Sequence, residues 1–243
     1  SRATGNTNIT ISGGTIETAQ GGSGGAGIGS GDDSTGTTNI IINRGTIVEA
    51  VGGNTGDGIG GGSNSNNTTV TIQGGHIEKA QGGKGYGRYY DAGDGIHSDY
   101  GLTISGNATI DNVIGGGCDS DSSNRNAGHG IYSKGNLTIS DNATITNATG
   151  GSCDKNSNNR YAGDGIHSDG KLTISGGTIG TAQGGTSSSK NGGNGIFGWQ
   201  TMEILGGIIK KATGGNAGGE NYTGGSGISV GDWLTISGGE IQE

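Results

Sequence analysis

One phrase recurs eight times in this chain. It first reads Ile9-Thr10-Ile11-Ser12-Gly13-Gly14-Thr15-Ile16. Ile42, Ile72, Ile104, Ile139, Ile174, Ile204 and Ile236 then take the place of Ile11 in the later copies. The spacings are 31, 30, 32, 35, 35, 30 and 32 residues. Self-similarity at such a period is the mark of a stacked repeat architecture, in which each unit buries its apolar residues against its neighbours. Two shorter phrases travel with it. A stretch ending in Ala and Gly-Gly follows the Thr-Ile, as in Ala80-Gln81-Gly82-Gly83 and Ala182-Gln183-Gly184-Gly185. A Gly-Ile pair precedes the next copy, as at Gly58-Ile59, Gly95-Ile96, Gly130-Ile131, Gly165-Ile166, Gly195-Ile196 and Gly227-Ile228.

Leu172-Thr173-Ile174-Ser175 alternates apolar and polar residues, which is the period of a strand. No stretch has apolar residues at helical spacing, and glycine at 61 of 243 positions would cost a helix about 1 kcal/mol at each interior site. Three short strands per unit, repeated in register, predict an all-β chain folded as a right-handed parallel β-helix. About seven coils of 30–35 residues make the solenoid, and residues 1–243 form one domain. This resolves an apparent contradiction in the composition. Only 27% of the residues are apolar, too few for the broad core of an α/β protein or a bundle and low enough to suggest disorder. A narrow coil needs only a few: Ile166, Leu172, Ile174, Ile179 and Ala182 in the sixth. The chain starts and stops in mid-repeat, so the expectation is a monomeric piece of a longer protein.

The net charge is −8, and Lys and Arg form no dense run. Nucleic acid is therefore not an expected partner. The apolar runs are a few residues long, so membrane insertion is not expected either. Cys118 and Cys153 each lie 14 residues after their coil isoleucines, Ile104 and Ile139. Adjacent coils should bring them to ~4.8 Å, within reach of a disulfide, which would imply an oxidising, extracellular setting. A reduced pair is the alternative.

Three sets of residues are candidates for function. Counting outward from Ile96, Ile131, Ile166 and Ile196, the next residues are His97, Tyr132, His167 and Phe197. Two positions further come Asp99, Lys134, Asp169 and Trp199. A column of rings beside an acid–base–acid–tryptophan column suits sugars, which offer flat apolar faces and hydrogen-bonding edges. The same columns could serve only to hold coils together. Asp94, Asp164 and Asn194, with Asp91 nearby and His129 between, precede Gly-Ile in successive coils. They form an oxygen-rich column for calcium, or else cap tight turns. The inserts after Gly-Gly are longest in the middle coils. There Tyr86, Tyr89, Tyr90 and Tyr161 are further candidate sugar contacts, and Arg125 and Arg160 stack among Asp119, Asp121 and Asp154 as a loop salt-bridge network.

The string Ala162-Gly163-Asp164-Gly165-Ile166-His167-Ser168-Asp169-Gly170-Lys171-Leu172-Thr173-Ile174 resembles the repeat of a clostridial carbohydrate-binding family of polysaccharide-lyase-like β-helices. Ala26-Gly27-Ile28-Gly29-Ser30-Gly31 is similar to glycine-rich repeats of surface proteins in gut Firmicutes. The resemblance implies a bacterial cell-surface module that binds acidic polysaccharide or a host or cell-wall glycan, with calcium held by acidic residues. No lyase catalytic motif is present, so the expected role is binding or adhesion rather than catalysis. A polysaccharide lyase or hydrolase and a structural stalk are the alternatives. Ice binding by the threonine column Thr10, Thr71, Thr103, Thr138, Thr173 and Thr235 is a weaker one, broken by Glu203.

Overall fold

A computed structural model of the chain describes residues 4–85, 91–118, 126–153, 161–218 and 221–243. Tyr86, Tyr89, Tyr90, Asp119, Asp121, Arg125, Asp154 and Arg160 lie outside the described residues. The chain is an all-β solenoid of about seven turns, without a helix among the described residues. Each coil carries the three expected strand segments. The Gly-Ile segments, including Ile96–Ser98, Ile131–Ser133, Ile166–Ser168 and Ile196–Gly198, stack in parallel as a seven-stranded sheet. The Leu-Thr-Ile and Thr-Ile segments build a second, 12-stranded parallel sheet. In some coils these two segments run on as one bent strand, as in Leu172–Gln183. In the middle coils they separate, as in Asn136–Ile139 and Thr144–Thr149.

The bend between them requires backbone with positive φ, which Gly177 adopts at 79°. In the middle coils a tighter turn does the same work. Gly106 stands there at 61°, and Asp141, at the equivalent place one coil on, at 57°. Buried Ala108 and Ala143 then fill the corner.

Register is exact in sequence terms. Leu102, Leu137 and Leu172 pair in one ladder, and Ile104, Ile139 and Ile174 in the next. The core consists of these ladders together with those of Ile110, Ile145 and Ile179 and of Val113, Ala148 and Ala182, all essentially inaccessible to solvent. Each fully buried isoleucine contributes about 1.5–3 kcal/mol relative to an exposed one.

A second set of ladders is made of glycine. The Gly93 amide donates to the Gly83 carbonyl, and the Gly83 amide to that of Gly56. Above them Gly116 donates to Gly93, and Gly128 to Gly116. The same zigzag continues through Gly151, Gly163, Gly185, Gly193 and Gly215 to Gly225. It pinches the chain together at the base of every insert. A Cβ on Gly83 would lie 1.5 Å from the Gly53 oxygen, and one on Gly93 1.9 Å from the Gly56 oxygen, so no larger residue fits. Because the pinch closes the core, inserts of different length leave the solenoid without disturbing the coils.

Candidate functional site

The Gly-Ile strand positions the site. Its isoleucine points inward, the following residue outward, and the serine after that inward again. Ser98, Ser133 and Ser168 are fully buried. Ser98 donates to the Gly101 carbonyl at 2.6 Å, and Ser133 to that of Asn136 at 3.1 Å. The predicted outward column is in register, His97 with Tyr132, Tyr132 with His167, and His167 with Phe197. Successive ring centroids are 4.9, 5.1 and 4.9 Å apart. The last ring meets Trp199 edge-on at 6.0 Å.

Beside the rings runs the coil-corner column Asp57, Asp94, His129, Asp164 and Asn194. Each side chain accepts the backbone N–H of its counterpart one coil on. Asp57 Oδ1 takes the Asp94 N–H at 2.8 Å, and Asp94 Oδ1 takes that of His129. His129 Nδ1 takes the Asp164 N–H at 2.9 Å, and Asp164 Oδ1 takes that of Asn194. Asn194 Oδ1 takes the Ser226 N–H at 2.9 Å. Asp91 does likewise for Asn126 at 2.9 Å. The four residues expected to ligate calcium are thus spread along the corners, with one oxygen of each bonded to the backbone.

The second carboxylate oxygens point at the histidines. His97 Nδ1 lies 3.1 Å from Asp57 Oδ2 and 3.2 Å from Asp94 Oδ2. Its Nε2 lies 3.5 Å from Asp99 Oδ1, too long for a hydrogen bond; this nitrogen is buried and makes none. Two coils on, His167 Nδ1 is 2.6 Å from Asp164 Oδ2, and Nε2 is 2.9 Å from Asp169 Oδ1. Tyr132 donates to Asp169 Oδ2 at 2.7 Å, and Lys134 donates to Asp99 Oδ1 at 2.7 Å.

These contacts set the charges. Burial works against a charged His97, but Asp57 above all, with Asp94 and Asp99, outweighs it and holds the pKa well above the usual value. His167, also buried, is pushed up to about 9 by its bonds to Asp164 and Asp169. His129 goes the other way, lowered by burial and then by the charge of His167. The Asp164 N–H at its Nδ1 leaves the ring proton on Nε2. Burial raises Asp57 despite His97. Asp99, against the effect of burial, is lowered to about 2 by His97 and Lys134. Burial and the Asp169 carboxylate raise Tyr132, so its phenol keeps its proton.

Two clefts open over this floor. One, of about 450 Å³, lies above Asp57, Asp94, His97 and Tyr132, with Asn64, Asn66 and Lys134 at its side. The other, of about 600 Å³, lies above Asp164, His167, Phe197 and Trp199, with Tyr161 at its edge. Asn126, Ala127 and His129 line both, so the clefts adjoin along the solenoid. The structure therefore brings the predicted ring and charge columns together on one floor. His97 is only 13% exposed and Trp199 62%. Asp57 was missed in the sequence because its coil carries Gly60 in the ring column. The signal that would have found it is the hexapeptide Asp-Gly-Ile-His-Ser-Asp, present at 94–99 and again at 164–169, with Asp57-Gly58-Ile59 opening the same way. Among the described residues, two groups of side chains could hold a metal ion, Asp57 with Asp94 and His97, and His129 with Asp164 and His167. The ligand atoms in each lie within 4.8 Å of one another.

The disulfide between Cys118 and Cys153 is present and joins adjacent coils at a Cα separation of 4.7 Å. The fold and the floor together define a β-solenoid with a polar, aromatic-lined groove along one corner. The chain matches no protein-family model, no curated protein and no solved structure.

Proposed function

We propose that this chain is a polysaccharide-binding module of a bacterial surface protein, and that the two adjoining clefts are its binding groove. The observation that carries this reading is the placement of the aromatics. Trp199, 62% exposed, stands edge-on to Phe197 at the rim of the larger cleft, and Tyr161 lines the same cleft. Exposed rings at a cleft rim suit the flat faces of sugar rings. Asn126 and Asn191 line that cleft as well, and side-chain amides suit sugar hydroxyls. The groove crosses several coils, as binding an extended chain requires. Binding rather than turnover is favoured because the charged groups of the floor are engaged with one another: Asp99 with Lys134, and Asp169 with Tyr132 and His167. The Cys118–Cys153 bridge supports an extracellular setting.

The test is a glycan array with the chain and with a Trp199→Ala, Tyr161→Ala double variant. The expected result is binding to a subset of polysaccharides, reduced at least tenfold in the variant with its melting temperature unchanged. No binding to any glycan, or full binding by the variant, refutes the proposal.

A further inference from the structure

Asp57, Asp94 and His97 come from two adjacent coils and bring three donor atoms within 4.8 Å of one another on the floor of the smaller cleft. Tetrahedral zinc has bonds of about 2.0–2.2 Å to imidazole nitrogen and carboxylate oxygen, so its donors stand about 3.3 Å apart. The His97 Nδ1 separations of 3.1 and 3.2 Å from the two Oδ2 atoms match two edges of such a tetrahedron. The remaining lone pairs of the carboxylates are used in ways that fix their orientation. Asp57 Oδ2 accepts the Gly61 N–H at 2.8 Å and Oδ1 that of Asp94 at 2.8 Å, while Asp94 Oδ1 accepts that of His129. On the far side of the ring, the buried and unbonded Nε2 faces Asp99, the carboxylate that a metal-bound histidine uses to fix its ring.

We propose that Asp57 Oδ2, Asp94 Oδ2 and His97 Nδ1 bind a divalent d-block cation of the zinc class, with the fourth coordination position open to the cleft. The cation replaces the proton on His97 Nδ1, which leaves to solvent. One nitrogen and two carboxylate oxygens suit zinc, whereas calcium takes 6–8 oxygens. Calcium, expected from the carboxylate column, is therefore the comparison ion. The His129–Asp164–His167 group does not offer the same donors. His129 Nδ1 already accepts the Asp164 N–H, and His167 Nδ1 and Asp164 Oδ2 are closed on each other at 2.6 Å.

The experiment is calorimetric titration of chelator-treated protein with zinc chloride and, separately, calcium chloride. The expected result is one zinc ion per chain, with an affinity that weakens on acidification as protons compete for the ligands. Zinc should bind at least tenfold more tightly than calcium. His97→Gln and Asp57→Asn, each checked for an intact melting transition, should each weaken zinc binding at least tenfold. Cobalt(II) added to the unaltered chain should give the intense visible absorption of tetrahedral coordination, a readout that needs no variant. The proposal is overturned by the absence of zinc binding, by a preference for calcium, or by undiminished binding in both folded variants.

Discussion

The hexapeptide Asp-Gly-Ile-His-Ser-Asp occurs at 94–99 and at 164–169 and takes the same strand pairing in both places, yet its two histidines sit in different surroundings. Beneath His97 the preceding coil supplies Asp57 and, in the ring column, Gly60. A Cβ at Gly60 would stand 2.7 Å from Asp57 Oδ2 and 3.0 Å from the His97 side chain, so glycine is what leaves room for that carboxylate. Beneath His167 the preceding coil supplies His129 and Tyr132, whose rings pack against it at 4.3 and 5.1 Å. His97 thus faces three carboxylates, and His167 two carboxylates and a neutral imidazole. In a solenoid the chemistry of a residue is set down the column, by whatever lies one coil below, as much as by its own sequence neighbours.

The largest effect should come from a change that treats both regions alike. Gly93 and Gly163 close the base of the insert in the two hexapeptide coils, and a Cβ on either would fall 1.9 Å from a backbone oxygen, of Gly56 and Gly128 respectively. Gly93→Ala and Gly163→Ala should each destabilise the chain by about 3 kcal/mol, since backbone rather than a side chain must move. Denaturant unfolding of the two variants should give similar losses. A silent variant would mean that the glycine zigzag does not hold that coil.

A smaller, pH-dependent effect should separate the regions. His167 has its folded pKa raised to about 9, against about 6.5 when unfolded. Its stabilisation is therefore complete below pH ~6.5 and disappears as pH rises toward 9. The difference of about 2.5 units corresponds to about 3 kcal/mol at most, shared with Asp164 and Asp169. His129, with its pKa lowered, acts in the opposite sense and gives its stabilisation above pH ~6.5. Melting temperature should fall between pH 6.5 and 9 in the unaltered chain, and fall less in His167→Gln. Proton resonances of the imidazoles should show His129 titrating below the ordinary histidine range while His97 and His167 titrate above it. Parallel pH curves for the unaltered chain and the variant would remove His167 from this account.

The aliphatic ladders and the ring column were legible because strand period and coil period together fix which way each residue points: Ile96 inward implies His97 outward. The hydrogen-bonded corner was not legible. Asp94 and Asp164 read as calcium ligands or as caps of their own turns, and only the direction of Oδ1 shows that each is instead bonded to the coil above. The second glycine column was hidden by the inserts, because Gly56 follows its partner Gly53 by three residues whereas Gly93 follows Gly83 by ten. Spacing along the chain could not align positions that the fold stacks directly. Asp57 was overlooked for a related reason, since its coil has no ring to mark the column.

The smallest effect distinguishes the outer partners of the two terminal aspartates. Asp169 is held from the coil below by the Tyr132 hydroxyl, whereas Asp99 is held from the coil above by the Lys134 ammonium at 2.7 Å, which also reaches Asn66 Oδ1 at 3.1 Å. Lys134 is more than a third exposed, so water screens the pair, and its loss should cost about 0.5–1 kcal/mol. Lys134→Met keeps much of the apolar stem and should lower the melting temperature by about 1–4 °C. The charge of Asp99 would then be answered by His97 alone, so the His97 pKa should rise further while that of His167 stays fixed. Raising salt should shrink the stability difference, as it does for exposed pairs. A fall of the His97 pKa in this variant would show that Lys134 governs Asp99 in some other way than by sharing its charge.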